Sequence, residues 1–212
     1  GIDPTLDQWK QIAATLADRG VLPILDFAYQ GFGEGLEEDA AGLREFCTPG
    51  AELIICGSFS KNFGLYRERV GAVTFIAKDA DRRQIVASQM KRTIRTNYSN
   101  PPAHGAALVR TILEDAGLAA QWRTELAEMR ERINGMRTLL VQKLAEHGAP
   151  GDYSFIERQR GMFSFSGLTK PQVDRLREEH SIYIVGSGRI NVAGITPSNV
   201  DRLCGAIAQV AA

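Results

Sequence analysis

Residues Ser58–Gly71 read SFSKNFGLYRERVG and join two short apolar runs, Leu53–Cys56 and Val70–Ile76. These runs are typical of strands buried on both faces. A third such run, Val21–Leu25, ends directly before Asp26. Strands that alternate with helices form mostly parallel sheets, which bind ligands at the carboxyl ends of their strands. The sequence therefore predicts an α/β domain with a site near Asp26 and the loop after Cys56.

Helical signals surround these strands. Thr5 and Gln8 form a capping-box pattern at the start of an apolar periodicity that ends at Gly20. Residues 80–147 are predicted to be mainly helical, and their longest apolar stripe runs from Leu118 to Leu144.

A smaller α+β region is predicted after Pro150. Its capped helices start at Thr169 and at Thr196-Pro197, the latter running from about 197 to 210. Its short strands are predicted over Met162–Phe165, Ile182–Val185 and Arg189–Val192.

The amino-acid composition argues against several classes of function. The 212 residues carry 25 basic and 25 acidic side chains, so no basic excess favours nucleic-acid binding. No apolar run approaches the roughly 18 to 20 residues of a membrane span. The three cysteines are scattered and suit neither a disulfide framework nor a zinc site, so we expect them to be buried and reduced. The sequence does not open with an apolar segment typical of a secretion signal, so the expected compartment is the cytoplasm. The three histidines are expected to be structural or exposed rather than catalytic.

Lys61 admits three interpretations. It is either an ordinary solvated lysine, the partner of a serine nucleophile in the pattern Ser58-x-x-Lys61, or a lysine that forms a Schiff base. The serine pattern lacks its usual companions, since neither an S-D-N nor a K-T-G triplet occurs in the chain. A Schiff-base lysine agrees better with the surroundings than the serine pattern does, because Ser58 and Arg69 suit a phosphate and Asp26 suits a protonated ring nitrogen. On these residues alone, an ordinary solvated lysine stays open.

Five segments together resemble the fold-type I, class I aminotransferases, and most closely the bacterial aspartate and aromatic (tyrosine) aminotransferases. The segments are Asp26–Phe32, Ser58–Gly71, Tyr98–Gly105, Gly161–Leu168 and Ser187–Gly194. The resemblance implies part of a large domain that binds pyridoxal phosphate on a mostly parallel sheet, over residues 1–128. It also implies a small α+β C-terminal domain over residues 129–212.

The resemblance also implies a role for each matching residue. Lys61 would form the Schiff base with the cofactor and move the proton during transamination. The other cofactor-binding residues would be Asp26 at the ring nitrogen, Tyr29 at the ring oxygen, and Ser58 and Arg69 at the phosphate. The substrate-binding residues would be Arg189 at the α-carboxylate, Phe163 beside the substrate, and Arg95 reaching a side-chain carboxylate in the partner subunit of a homodimer. No role for a metal is implied.

The expected reaction passes an amino group from an L-amino acid, aspartate or aromatic, to a 2-oxo acid such as 2-oxoglutarate. The segment Gly1–Pro4 resembles the end of a family motif, so the chain is expected to be the C-terminal half only and inactive alone. Two alternatives stay open. One is a cofactor-sensing domain of a transcriptional regulator, and the other is a different fold-type I enzyme such as a lyase.

Overall fold

The computed structural model describes residues 1–212, which form two compact units. The first unit is Pro4–Ala127, and the second comprises Gly1–Asp3 with Glu128–Ala212. The helices are α1 Leu6–Asp18, α2 Ala41–Arg44, α3 Ala80–Asn97, α4 His104–Glu114, α5 Ala116–Glu146, α6 Lys170–His180 and α7 Val200–Ala211. The strands are β1 Ile24–Phe27, β2 Leu53–Ser58, β3 Gly71–Ile76, β4 Phe163–Phe165 and β5 Arg189–Asn191.

The first helix begins as the sequence predicts. The Thr5 hydroxyl accepts the Gln8 amide, and the Gln8 side chain accepts the Thr5 amide at 2.8 Å. Trp9 then packs against α2, where a Cβ on Gly42 would lie 2.4 Å from the indole ring. Only a residue without a side chain permits that approach, so Gly42 fixes the position of α2 beside α1.

The three-stranded sheet has the order β1-β2-β3, with β1 parallel to β2 and β2 antiparallel to β3. Gly71 lies opposite Ser58, and a Cβ on Gly71 would come within 2.6 Å of the Gly57 carbonyl. A side chain at position 71 would therefore force the two strands apart.

The first strand starts later than predicted. Val21 donates its amide to the Leu16 carbonyl at 3.0 Å, and Gly20 adopts φ +62°. Val21 therefore belongs to the turn that ends α1, and Asp26 lies inside β1 rather than after it. The expectation that these strands are buried on both faces was wrong for β1, whose residues alternate between exposed and half-buried, and for β3, whose first four residues are exposed.

The predicted apolar stripe lies on one helix, α5. Four of its residues are at most 4% exposed: Leu126, Ile133, Leu140 and Leu144. The helix contributes residues 116–127 to the first unit and 128–146 to the second. Its apolar side chains thus belong to the cores of both units.

The second unit contains the antiparallel pair β4–β5 and the helices α6 and α7. Thr169 and Gln172 form the predicted capping box at the start of α6. The predicted strand over 182–185 is absent. Ser181 ends α6 in the left-handed conformation, and Ile182 donates its amide back to Leu176, so the chain follows the helix end there.

The last helix also starts later than predicted, at Val200 instead of Pro197. The Asn199 side chain accepts the Thr196 amide at 2.8 Å and donates to the Gly194 carbonyl at 3.0 Å. These bonds hold residues 196–199 in a turn that precedes the helix.

The cysteines differ in their surroundings. All three are free thiols, but Cys47 is exposed, which contradicts the expected burial. Cys204 is fully buried, and burial raises the pKa of its thiol to about 12. None of the helices combines the length and the apolar character that a membrane crossing requires.

Candidate active site

The parallel pairing of β1 and β2 brings two of the predicted segments together. Asp26 lies opposite Cys56, and Phe27 lies opposite Gly57. Both strands run in the same direction, so their carboxyl ends lie at one edge of the sheet. The segments that follow them carry Tyr29 and Lys61.

Lys61 lies over the ring of Tyr29. Its Nζ is 4.5 Å from the ring centroid, within the distance at which an ammonium is attracted to an aromatic face. The Lys61 carbonyl accepts the Gly64 amide at 3.0 Å, which closes a tight turn in the loop. The amine is thus held beside a phenol at the sheet edge.

Tyr29 also influences a neighbouring tyrosine. Burial raises the pKa of Tyr66, and the nearby Tyr29 raises it further. Tyr66 therefore lies near enough to Tyr29 for the two phenols to interact electrostatically.

Ser58 and Arg69 lie at opposite ends of the loop that contains Lys61. The Ser58 hydroxyl accepts the Ser60 amide at 3.2 Å. Arg69 is exposed, and its guanidinium donates to the Tyr66 carbonyl at 3.0 Å. Its φ of 52° is uncommon for a residue with a side chain, and such backbone strain is concentrated at functional sites.

Two residues that the sequence interpretation did not single out, Asn62 and Trp122, secure this loop. Asn62 is 5% exposed and donates its side-chain amide to the Gln30 carbonyl at 3.4 Å. Trp122 donates its indole N–H to the Asn62 carbonyl at 2.7 Å and stacks on Phe63 at 4.5 Å. The loop that bears the lysine is therefore tied both to the segment after Tyr29 and to α5. The adjacency of Asn62 to Lys61 was the only signal for these contacts in the sequence.

Asp39 organises the glycine-rich segment that follows Tyr29. Its carboxylate accepts four backbone amides, at 2.8 to 3.4 Å, from Gly31, Gly33, Glu34 and Gly35. A carboxylate that receives several backbone N–H groups stabilises an otherwise irregular segment. Asp39 therefore fixes the path of the chain directly after the candidate site.

We expect Asp39→Ala to lower the free energy of unfolding of the chain by about 3 kcal/mol, because four amides lose a charged acceptor. Asp39→Asn should cost less, since one acceptor oxygen remains. Urea denaturation monitored by circular dichroism measures both changes. Glu52→Ala, at an exposed acidic residue of the same unit, is the control and should change the value by less than about 0.5 kcal/mol. Equal effects of Asp39→Ala and the control would contradict the assigned role.

Arg189 and Phe163 lie together in the second unit, on the β4–β5 ribbon. The guanidinium carbon of Arg189 is 4.8 Å from the centroid of the Phe163 ring. Arg189 is exposed, while the next residue, Ile190, is 4% exposed. Successive residues of a strand point to opposite faces, so the Arg189 side chain lies on the solvent-exposed face.

Arg95 lies in the last turn of α3 and is exposed, as is Asp26 on β1. The structure brings Lys61 and Tyr29 into direct contact and places Asp26 and Ser58 on adjacent parallel strands. It shows no contact of Arg95 with these residues. No group of three histidine, cysteine or acidic side chains is arranged to hold a metal ion.

Comparison with known proteins gives a consistent result. The sequence model of the family "Aminotransferase class I and II" matches residues 1–207. The aspartate aminotransferase of Salmonella typhi is 60% identical over 210 residues, which are 99% of this chain and 53% of that protein. The aromatic-amino-acid aminotransferase of Pseudomonas aeruginosa is 47% identical, over 100% of this chain and 53% of that protein.

A solved structure agrees with the sequence comparisons. The aromatic-amino-acid aminotransferase of Burkholderia pseudomallei, covalently bound to pyridoxal phosphate, superposes with a TM-score of 0.97 at 50% identity. The match covers 99% of this chain and 53% of that one, so the chain spans about half the length of the relatives it matches. The family match over residues 1–207 and these sequence identities show that the chain belongs to the class I and II aminotransferase family.

Proposed function

We propose that the chain carries the lysine-bearing half of a transaminase that uses pyridoxal phosphate and acts on aspartate, aromatic amino acids or both. The observation that carries this proposal is the Lys61 amine held 4.5 Å above the Tyr29 ring at the edge where two parallel strands end. Relatives of both substrate classes support it, including one bound covalently to the cofactor.

The residues present fit the cofactor. An amine, a phenol and an exposed arginine with a strained backbone lie on adjoining loops of the first unit, and these groups suit an aldehyde, a ring oxygen and a phosphate. We assign the aldehyde to Lys61, the ring oxygen to Tyr29 and the phosphate to Arg69. Ser58 supplies a hydroxyl to the same phosphate, and the Asp26 carboxylate pairs with the protonated ring nitrogen.

Bound in this way, pyridoxal phosphate supplies an electrophilic carbon for amines and an electron sink for the substrate Cα. Lys61 would hold the cofactor through its amine until a substrate amine takes that place. The free Nζ of Lys61 would act as the base that removes the proton from the substrate Cα and would carry that proton to the cofactor. The Asp26 carboxylate would pair with the ring nitrogen and favour its protonated form, in which the ring accepts electrons best.

Substrate binding is assigned to the second unit and to α3. The planar fork of Arg189 suits a bidentate pair with the α-carboxylate, which every amino acid and 2-oxo acid substrate carries. Phe163, which lies against Arg189, supplies an apolar surface beside it. Arg95 is assigned to the side-chain carboxylate of a dicarboxylic substrate in the partner subunit of a homodimer.

The proposal also assigns the domain boundaries and the cellular compartment. Residues 1–128 are assigned to the large cofactor domain and residues 129–212 to the small domain. The proposed compartment is the cytoplasm.

The test uses a chimera in which this chain replaces the matched half of the Salmonella typhi enzyme, hereafter the matched-half chimera. After incubation with pyridoxal phosphate and reduction by borohydride, we expect one covalent label, on the peptide that contains Lys61. Peptide mass spectrometry locates it, and the chain alone is analysed in parallel. A label at another residue, or none in a chimera that is folded, would overturn the proposal.

A further inference from the structure

Arg137 is buried without a carboxylate partner. The side chain lies on α5 and is 1% exposed. Its Nε donates to the Ser164 hydroxyl at 3.2 Å, one Nη donates to the Asn134 side-chain oxygen at 2.9 Å, and the other donates to the Gly161 carbonyl. All three acceptors are neutral groups of the second unit.

Such a guanidinium is costly to bury. Burial, together with the positive charge of Arg160, lowers the pKa of Arg137 to about 10. The group is nevertheless charged at neutral pH, and a buried charge without an ionic partner destabilises a fold unless its hydrogen bonds compensate. An apolar residue of similar size would avoid this cost but could not make the three directed hydrogen bonds.

The bonds of Arg137 converge on the start of the β4–β5 ribbon. Gly161 precedes β4, and Ser164 is its central residue. Ser164 pairs with Ile190, and both are buried, at 0% and 4% exposure. Arg137 therefore holds the ribbon from its buried face.

The opposite face of the ribbon carries the candidate substrate residues. Phe163 and Arg189 flank the buried Ser164–Ile190 pair, and successive strand residues point to opposite faces. A shift of β4 relative to β5 would move the Phe163 ring away from the Arg189 guanidinium that it supports at 4.8 Å. The arginine that we assign to the α-carboxylate thus depends on the bonds made beneath it.

We propose that Arg137 is a positioning residue that sets the orientation of Arg189 and Phe163 for binding the substrate α-carboxylate. This inference rests on the function proposed above. Misplacement of a binding group by about 1 Å is enough to cost roughly a hundredfold in rate. Because Arg189 is assigned to the α-carboxylate that all substrates share, loss of the Arg137 bonds should appear mainly as a higher KM.

The experiment compares Arg137→Met, Arg137→Lys and Ser164→Ala in the matched-half chimera. Arg137→Lys keeps the charge and loses the fork, and Ser164→Ala removes one acceptor. We expect Arg137→Lys to raise KM for both the amino acid and the 2-oxo acid by roughly ten- to a hundredfold, and Ser164→Ala by less. The visible absorption of the bound cofactor should stay unchanged in both variants. Arg123→Met, at an exposed arginine of the same helix, is the control and should leave KM unchanged.

Two results separate this proposal from the one on which it rests. If Arg189→Lys raises KM while Arg137→Lys and Ser164→Ala leave it within twofold, the positioning role is overturned even where their thermal midpoints fall. If Arg189→Lys itself leaves KM unchanged, the substrate role of Arg189 fails, and the positioning role built upon it fails as well. Should Arg137→Met not fold, Arg137→Lys and Ser164→Ala still provide the decisive comparison.

Discussion

Replacing Lys61 by alanine in the matched-half chimera is expected to lower kcat for transamination by more than about 10⁴-fold. General acid–base catalysis alone contributes up to about 10⁴-fold, and the variant also loses the amine that binds the cofactor covalently. Stopped-flow absorption and a coupled assay of the 2-oxo acid product measure the loss. Lys78→Ala, at an exposed lysine of the same unit, is the control and should retain full activity.

The Lys61→Arg variant separates the effect of losing the reactive amine from the effect of losing the positive charge. The arginine keeps a positive charge beside Tyr29, but its guanidinium stays protonated and serves neither as nucleophile nor as base. We therefore expect it to be as inactive as the alanine variant. Activity within a hundredfold of the unsubstituted chimera, in either variant, would contradict the assigned role of Lys61.

Arg189→Ala is expected to raise KM for every substrate of the chimera by roughly a hundredfold or more. Loss of one partner in a hydrogen-bonded charge pair costs about 2 to 5 kcal/mol. Both half-reactions should be affected, because the α-carboxylate is common to amino acids and 2-oxo acids. Steady-state kinetics with aspartate and with an aromatic amino acid measures the effect.

Arg158→Ala is the matched control for Arg189→Ala, since it removes an exposed arginine from the same unit. It should change KM by less than twofold. A rise confined to aspartate would place Arg189 at the side-chain carboxylate instead, the position that we assign to Arg95. Unchanged KM values for both substrates would remove Arg189 from the site.

Local signals in the sequence predicted the local features of the fold. Side chains of Thr5 and Thr169 cap their own helices through residues three positions later, so their roles depend on a few neighbouring residues. The apolar stripe of α5 has the helical period, and the family resemblance drawn from five motifs was confirmed by the comparisons.

The remaining differences arise from contacts that a local pattern does not contain. Val21 is apolar and suits a strand, but the left-handed turn at Gly20 ties it to the end of α1. Residues 182–185 also have strand-like character but no partner strand. An apolar run becomes a strand only where another backbone lies beside it.

The long-range contacts in the site were likewise not predicted from the sequence. Trp122 bonds to the Asn62 carbonyl from 60 positions away, and the Asp39 carboxylate closes on amides up to eight positions before it. Motif matching selected Lys61 and Arg189, to which the proposed mechanism assigns the chemistry. It did not identify the residues that hold them.

The stacking of Trp122 on Phe63, with its indole bonded to the residue next to Lys61, gives the protein an internal optical reporter. A chromophore attached at position 61 would lie close enough to accept excitation energy from this indole. Attachment of the chromophore would then be measured as a decrease in tryptophan fluorescence, and no added dye would be needed.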